Sequence, residues 1–152
     1  FIMQILDILL PKIADNQIRG SIYPFYALCL IAPMSLFRSL IHLFYSDGGA
    51  NSIAGINLTL DHGSEVIFSF ALWGSSQLIF AIIQLIVLKR YRSLVPLIYL
   101  ALIFEIFLRI LVGHIKPISF LHPPPGMIAN WILLPIACFM FALSIQSALK
   151  SK

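Results

Sequence analysis

The strongest constraint on this chain is an apolar run, residues 94–115, with the sequence LVPLIYLALIFEIFLRILVGHI. About twenty apolar residues, each adding roughly 1.5 Å to a helix, are enough to cross the hydrocarbon core of a bilayer. Glu105 and Arg109 lie near the middle of the run, four residues apart, so they share one helical face. Because ionisable side chains are costly to expose to lipid, this face is expected to turn toward other helices. The run predicts a membrane-spanning helix inside a bundle.

The composition extends this interpretation to the whole chain. Of the 152 residues, 60% are hydrophobic and 11% are charged, and the mean hydropathy is +0.97. Soluble domains carry roughly 25% charged residues, so we expect an integral membrane protein that forms a single domain. The net charge of +4 resides in basic residues beside the apolar runs. Since no basic run is interleaved with aromatic residues, we expect no nucleic-acid partner.

The predicted fold class is all-α integral membrane, with four transmembrane helices in a bundle. The spans are residues 22–45, 65–88, 94–115 and 127–149, and residues 1–20 form a segment that starts with a short amphipathic helix in the membrane interface. Pro33 and Pro135 lie inside two spans, where kinks are expected. The HPPPG sequence, residues 122–126, predicts a stiff polyproline connector.

The distribution of basic residues predicts the orientation. Under the four-span arrangement, Lys116 falls on one side of the membrane, and a larger basic set falls on the other: Lys12, Arg19, Lys89, Arg90, Arg92, Lys150 and Lys152. Because basic residues concentrate on the cytoplasmic side, we expect both termini and the short turn to be cytoplasmic, in a bacterial inner membrane. Acidic residues then face outward in the first long loop and beside it: Asp47, Asp61 and Glu65.

Polar side chains recur at similar depths in all four predicted spans, and we call this set the polar layer. It consists of Arg38, His42, Gln77, Glu105, Arg109 and Asn130. Three interpretations remain open. The layer is a network that fixes the positions of the helices, a pocket for an anionic or quinone-like head group, or a contact with another subunit. Two arginines against one carboxylate leave a positive surplus that an acidic ligand or Glu65 could neutralise.

Motifs for enzymatic chemistry do not occur in the sequence. It has no nucleophile elbow, phosphate-binding glycine loop, HExxH motif or catalytic carboxylate pair, so we expect a non-enzymatic protein without a cofactor. Four histidines lie toward the predicted outer side: His42, His62, His114 and His122. They suggest two weaker alternatives. With the outward carboxylates they could form a metal site, or His42 and His114 could pair as haem ligands. Their spacing is no zinc signature. Cys29 and Cys138 form no CxxC motif and are expected to act as small core residues.

Two segments of the chain echo each other. FRSLIH, residues 37–42, and LRILVGH, residues 108–114, both place Arg before His near a helix end. Each is followed by a loop that ends in Gly63 or Gly126, and then by a returning span with one tryptophan. The pattern is typical of two parallel hairpin repeats, although chance likeness between apolar segments explains it as well.

The second and third spans suggest a family. The segment GSEVIFSFALWGSSQLIFAIIQLIVLKRYRSLVPLIYLALIFEIFLRILVGHI resembles the DoxX-like and DUF4345-type four-helix membrane proteins. The likeness covers residues 63–149 and consists of a glycine-containing second span, a basic turn, and a third span that ends in Arg109 and Gly113. The resemblance implies a compact four-helix bundle and leaves the function open.

Three functions therefore compete. The first is a non-enzymatic accessory or structural subunit of a larger membrane complex, with other membrane proteins and the bilayer as partners. The second is a binding or transport module in which Arg38, Glu105 and Arg109 hold a lipid or quinone head group. The third is a redox or metal protein that uses the outer histidines.

The four-span topology makes a direct prediction. Single cysteines at Ser93 and Ser52, in a cysteine-free background, should react with a membrane-impermeant thiol reagent from opposite sides of the membrane. The reason is that one spanning helix separates the short turn from the first long loop. Labelling of both positions from the same side would contradict the topology.

Overall fold

The computed structural model describes residues 2–59 and 62–146, and within these ranges every regular element is helical. The elements are α1 (Ile2–Leu9), α2 (Tyr23–Phe44), α3 (Gly63–Arg90), a 3₁₀ turn (Arg92–Leu94), α4 (Val95–Ile115) and α5 (Pro125–Ser144). Helices α2, α3, α4 and α5 are long and apolar enough to cross a membrane. The predicted fold class is confirmed: an all-α protein with four candidate transmembrane helices after a short N-terminal helix.

Two expectations about the fourth span need correction. The connector is shorter than HPPPG, because Pro125 and Gly126 already belong to α5. Proline suits the first helical turn, where its missing N–H would have no intrahelical partner. In the described residues α5 ends at Ser144 rather than at residue 149, and residues 147–149 lie outside them. The other span bounds agree within about two residues, and α2 and α5 continue through Pro33 and Pro135.

The four long helices form two hairpins. Helix α2 packs mainly against α3, and α4 packs mainly against α5, while α2 also contacts α5 and joins the pairs. The end of the molecule with residues 91–94 is called the short-turn end, and the end with residues 45–62 and 116–124 the long-loop end. At the long-loop end the Leu121 N–H donates to the Gly55 carbonyl at 2.7 Å, so the two long connections touch.

Burial falls off along the second hairpin. In α4 the buried residues lie in the short-turn half and end at Ile106, and no residue from Phe107 to Pro123 is buried. In α5 the buried residues are Ala137 and Ser144, and Cys138 is exposed, so the expectation that Cys138 fills the core is wrong. The hairpins therefore pack closely at the short-turn end and separate toward the long-loop end. Lipid can cover separated helices without the penalty that water would impose.

The short-turn end holds the best-packed core. A buried cluster combines residues of α2, α3, α4 and α5: Leu28, Val87, Val95, Ile98, Tyr99, Leu102, Ile106 and Ala137. The Tyr99 ring is completely buried, and its hydroxyl donates to the Pro24 carbonyl at 2.8 Å. A buried phenol needs such a partner, and this bond connects α4 to the first turn of α2.

The segment between α1 and α2 is fastened to the short turn. Ser93 and Asp15 bond reciprocally: the Ser93 N–H and hydroxyl donate to the Asp15 carbonyl, and the Asp15 N–H donates to the Ser93 hydroxyl oxygen. Gly20 lies so close to the Ser144 carbonyl that a Cβ atom would collide with it. Because Ser93 is only 2% exposed, Arg90, which is exposed, is the better labelling position for the topology test.

The Tyr99–Pro24 bond can be tested by removing one hydroxyl. We expect Tyr99→Phe to lower the free energy of unfolding in mild detergent by about 1 kcal/mol, the usual net value of a buried hydrogen bond. The control is Tyr26→Phe, since Tyr26 is 60% exposed and its hydroxyl has no bond within residues 2–59 and 62–146. Thermal unfolding curves of both variants give the comparison, and equal shifts would show that the bond contributes nothing.

Candidate functional site: the polar layer

His42 has a structural position within the polar layer. Its side chain is buried, and Nδ1 lies 2.7 Å from the Gly48 carbonyl, so Nδ1 carries the proton and donates it. The imidazole stacks on Trp73 with ring centroids 4.9 Å apart. Gly74 lies directly beneath it, because a Cβ atom there would be 2.7 Å from His42 Cβ. His42 therefore joins α2, α3 and the first long loop.

Asp47 organises the loop whose Gly48 carbonyl accepts the hydrogen bond from His42. The Asp47 carboxylate accepts the N–H groups of Gly49, Asn51 and Ser52, at 2.8, 3.1 and 2.7 Å, and the Ser52 hydroxyl at 3.1 Å. Partial burial raises the pKa of Asp47, but the N–H groups and the hydroxyl stabilise the ionised form more, and the net pKa lies below the ordinary value. Gly48 and Gly49 adopt positive φ, which glycine permits. This turn holds the Gly48 carbonyl against His42.

Glu105 and Arg109 form a loose ion pair on α4. Arg109 Nη2 lies 3.8 Å from Glu105 Oε1, and the two side chains are 17% and 28% exposed. Arg38 on α2 interacts electrostatically with both of them. Arg38 and Arg109 also lie at matching depths, each six residues before the end of its helix at Phe44 and Ile115. The three charged groups are therefore near enough to interact, with two positive charges against one negative charge.

The register of α2 and α3 places Gln77 at the level of Arg38. Gly74 contacts His42, and Val87 shares a buried cluster with Leu28. In an antiparallel pair, each step along one helix is matched by one step back along the other. This register sets Gln77 opposite Ser39, the residue next to Arg38, so α2, α3 and α4 all contribute to the same level of the polar layer.

Several buried polar atoms at this level have no hydrogen-bond partner among the described residues. They are Arg38 Nε, Arg109 Nε and both amide atoms of Gln77. Gln84, completely buried one heptad further along α3, has the same property and was missed from the sequence. The spacing of seven residues from Gln77 to Gln84, which keeps both on one face, is the signal that could have found it. Buried polar groups are normally bonded, so these atoms require an explanation.

Asn130 stands apart from the rest of the layer. It lies on α5, about 7 Å from the start of that helix at ~1.5 Å per residue, and it is half-buried. Within residues 2–59 and 62–146 it makes no hydrogen bond, to the other polar-layer residues or elsewhere. Its amide therefore has unused donors and an unused acceptor.

The remaining histidines do not come together. His62 faces Glu65 at 3.5 Å and is exposed, His114 donates to the Ile110 carbonyl of its own helix, and His122 packs against Gly55. Among the described residues no three of His, Cys, Asp and Glu are grouped as metal ligands, and Asp61 lies outside those residues. His42 is buried against α3 while His114 is exposed on α4, so the structure gives the haem alternative no support.

Comparison with known proteins adds nothing to this geometry: no protein-family model, no curated protein and no solved structure matches the chain. The resemblance to DoxX-like and DUF4345-type proteins stays a prediction.

The ion pair on α4 can be tested by comparing two basic residues. We expect Arg109→Leu to lower the free energy of unfolding by about 1–3 kcal/mol, because it leaves Glu105 without its partner. This loss is smaller than that for a fully buried ion pair, because both side chains are partly exposed. Lys116→Leu should have little effect, since Lys116 is exposed at the end of α4. Thermal unfolding in detergent measures both. Equal melting temperatures would mean that the Arg109 face is not buried against its neighbours.

Proposed function

We propose that this chain is a non-enzymatic accessory or structural subunit of a larger membrane assembly. The observation that supports the proposal is Asn130, a polar residue in a candidate transmembrane helix whose side chain has no hydrogen-bond partner within residues 2–59 and 62–146. An unsatisfied amide in a hydrocarbon environment costs several kcal/mol. Membrane proteins commonly satisfy such a group through a hydrogen bond to a neighbouring helix.

The surroundings of Asn130 suit a neighbouring helix. In the long-loop half of α5 the large apolar side chains on the lipid-facing side are exposed: Met127, Ile128, Trp131 and Ile132. This half lies where the two hairpins separate, so the part of the chain that the structure describes does not cover it. A partner helix that packs here would bury these side chains and supply a hydrogen-bond acceptor or donor to the amide.

A second candidate function is the binding of a lipid or quinone head group by the charged part of the polar layer. The unused donors of Arg38 and Gln77 favour it. The two functions involve different residues, since Asn130 carries the first and Arg38 the second.

The subunit proposal predicts that Asn130→Leu weakens the complex isolated in mild detergent roughly threefold to tenfold, the range expected for one interhelical hydrogen bond. The control is Cys138→Leu, which places the same leucine at an exposed position in the short-turn half of the same helix. Size-exclusion chromatography with light scattering gives the ratio of complex to free chain.

Photo-crosslinking locates the contact independently. A photoreactive phenylalanine at Trp131 should yield one protein adduct of defined mass, whereas the same group at Phe139 should react with lipid only. Elution of the wild-type chain as a monomer of 17.0 kDa plus detergent would overturn the proposal. An adduct of two identical chains would also overturn it, since it would indicate a homo-oligomer.

A further inference from the structure

The arginine surplus is the feature that the subunit role leaves unexplained. Among the described residues, two guanidinium groups and one carboxylate lie at the level of Arg38, and that carboxylate, Glu105, lies 3.8 Å from Arg109. A guanidinium in a membrane-spanning segment is costly unless an anion or a strong acceptor faces it. Arg38 has neither hydrogen bond nor ion pair within residues 2–59 and 62–146.

A second observation points to a ligand at the same place. Gln77 is 7% exposed, and both its amide nitrogen and its amide oxygen lack a partner among the described residues. The register of α2 and α3 sets Gln77 opposite Ser39 and therefore at the level of Arg38. An amide and a guanidinium at one level of the bundle, both with unused N–H groups, form a donor set that fits an oxyanion.

The site is reachable from the lipid. Glu105 and Arg109 remain partly exposed, and the hairpins separate on the long-loop side of Ile106. Large apolar side chains flank the charged groups on α2 and α4 and are exposed: Met34, Phe37, Phe104, Phe107 and Leu108. Above them, the Leu121–Gly55 hydrogen bond joins the two long connections. An acyl chain could lie along the apolar flank while its head group reaches Arg38 laterally.

We propose that Arg38, Gln77 and Arg109 bind the acidic head group of an amphiphile, a carboxylate or a phosphate, which enters from the bilayer between α2 and α4. Arg38 supplies the neutralising charge and two or more N–H groups, since a guanidinium presents its donors in a plane that matches both oxyanions. Gln77 donates one amide N–H. Glu105 stays paired with Arg109 and keeps that arginine oriented. A neutral quinone fits less well, because its carbonyl oxygens accept hydrogen bonds but cannot neutralise Arg38.

The test uses the full chain, purified in a neutral detergent and stripped of lipid. The probes are oleate for a carboxylate, phosphatidylglycerol for a phosphate, phosphatidylcholine as the zwitterionic control and a short-chain quinone as the neutral one. Native mass spectrometry measures bound probe, and thermal unfolding measures stabilisation. We expect oleate, phosphatidylglycerol or both to bind and to raise the melting temperature. Whichever binds identifies the source of the acidic group.

The variants separate a binding role from a structural one. Arg38→Gln should weaken binding of the anionic probe about tenfold or more, the loss expected for one charge-assisted contact. Without probe it should melt no lower than wild type, since it removes an unpaired charge; a structural Arg38 would give a clear decrease. Gln77→Met should weaken binding about threefold, and it carries the test should Arg38→Gln not fold. Lys116→Gln, the control for general attraction, should leave binding unchanged.

Three results would overturn the proposal. The first is equal binding of phosphatidylcholine and the anionic probes by the wild-type chain. The second is an equal loss of binding in Lys116→Gln and Arg38→Gln, which would indicate diffuse attraction to basic residues. The third is quinone binding with the same dependence on Arg38, which would assign the site to a neutral head group.

Discussion

The close approach of α2 and α3 at Gly74 determines where the functional groups of this protein lie. A side chain at this position would collide with His42 Cβ and approach the α2 backbone at about 3.0 Å. The absence of one lets the two helices meet, brings the His42 ring onto Trp73 and sets the register that places Gln77 at the level of Ser39 and Arg38. The Asp47 turn depends on the same contact. The turn presents the Gly48 carbonyl that accepts a hydrogen bond from His42, and the Gly74 contact positions His42. Small residues at helix crossings are the usual basis of such packing in membranes.

The second hairpin is held against the first by contacts at one end only. Lipid tails are as apolar as leucine, so no hydrophobic force draws α4 and α5 onto the first pair along their whole length. Specific contacts hold them at the short-turn end, above all the buried Tyr99 hydroxyl on the Pro24 carbonyl. Toward the long loops such contacts are few, and the hairpins separate. The arrangement leaves the charged residues of α2 and α4 open to the bilayer at the depth where the separation begins.

Much of this could be predicted from the sequence, because a bilayer permits few solutions. Four apolar runs of about twenty residues required four spanning helices, and the short basic turn between the second and third runs required α3 and α4 to run in opposite directions. The composition of the polar layer was visible for the same reason, since charged residues in spans stand out. What the sequence could not provide was the pairing of helices. Depth follows from counting residues, but the face that His42 presents depends on rotation about α2, which only the Gly74 contact decides. The same limit hid Gln84, whose burial follows from the register of α2 and α3 and not from its own neighbours.

The residues of the polar layer differ in the kind of partner that each one needs. His42 has its acceptor inside the chain and needs nothing else. Asn130 is neutral, and a neutral amide in a membrane is satisfied by one hydrogen bond from another helix, which suits a subunit interface. Arg38 is different in kind, because a hydrogen bond from a neutral helix would leave its charge uncompensated. Its missing partner must carry negative charge, and the chain's own membrane carboxylate, Glu105, already faces Arg109. A helix of a second protein would have to bring a further buried carboxylate to fill this place. An anionic amphiphile would carry its charge on a head group attached to an apolar chain, and exposed apolar side chains flank the charged residues of α2 and α4.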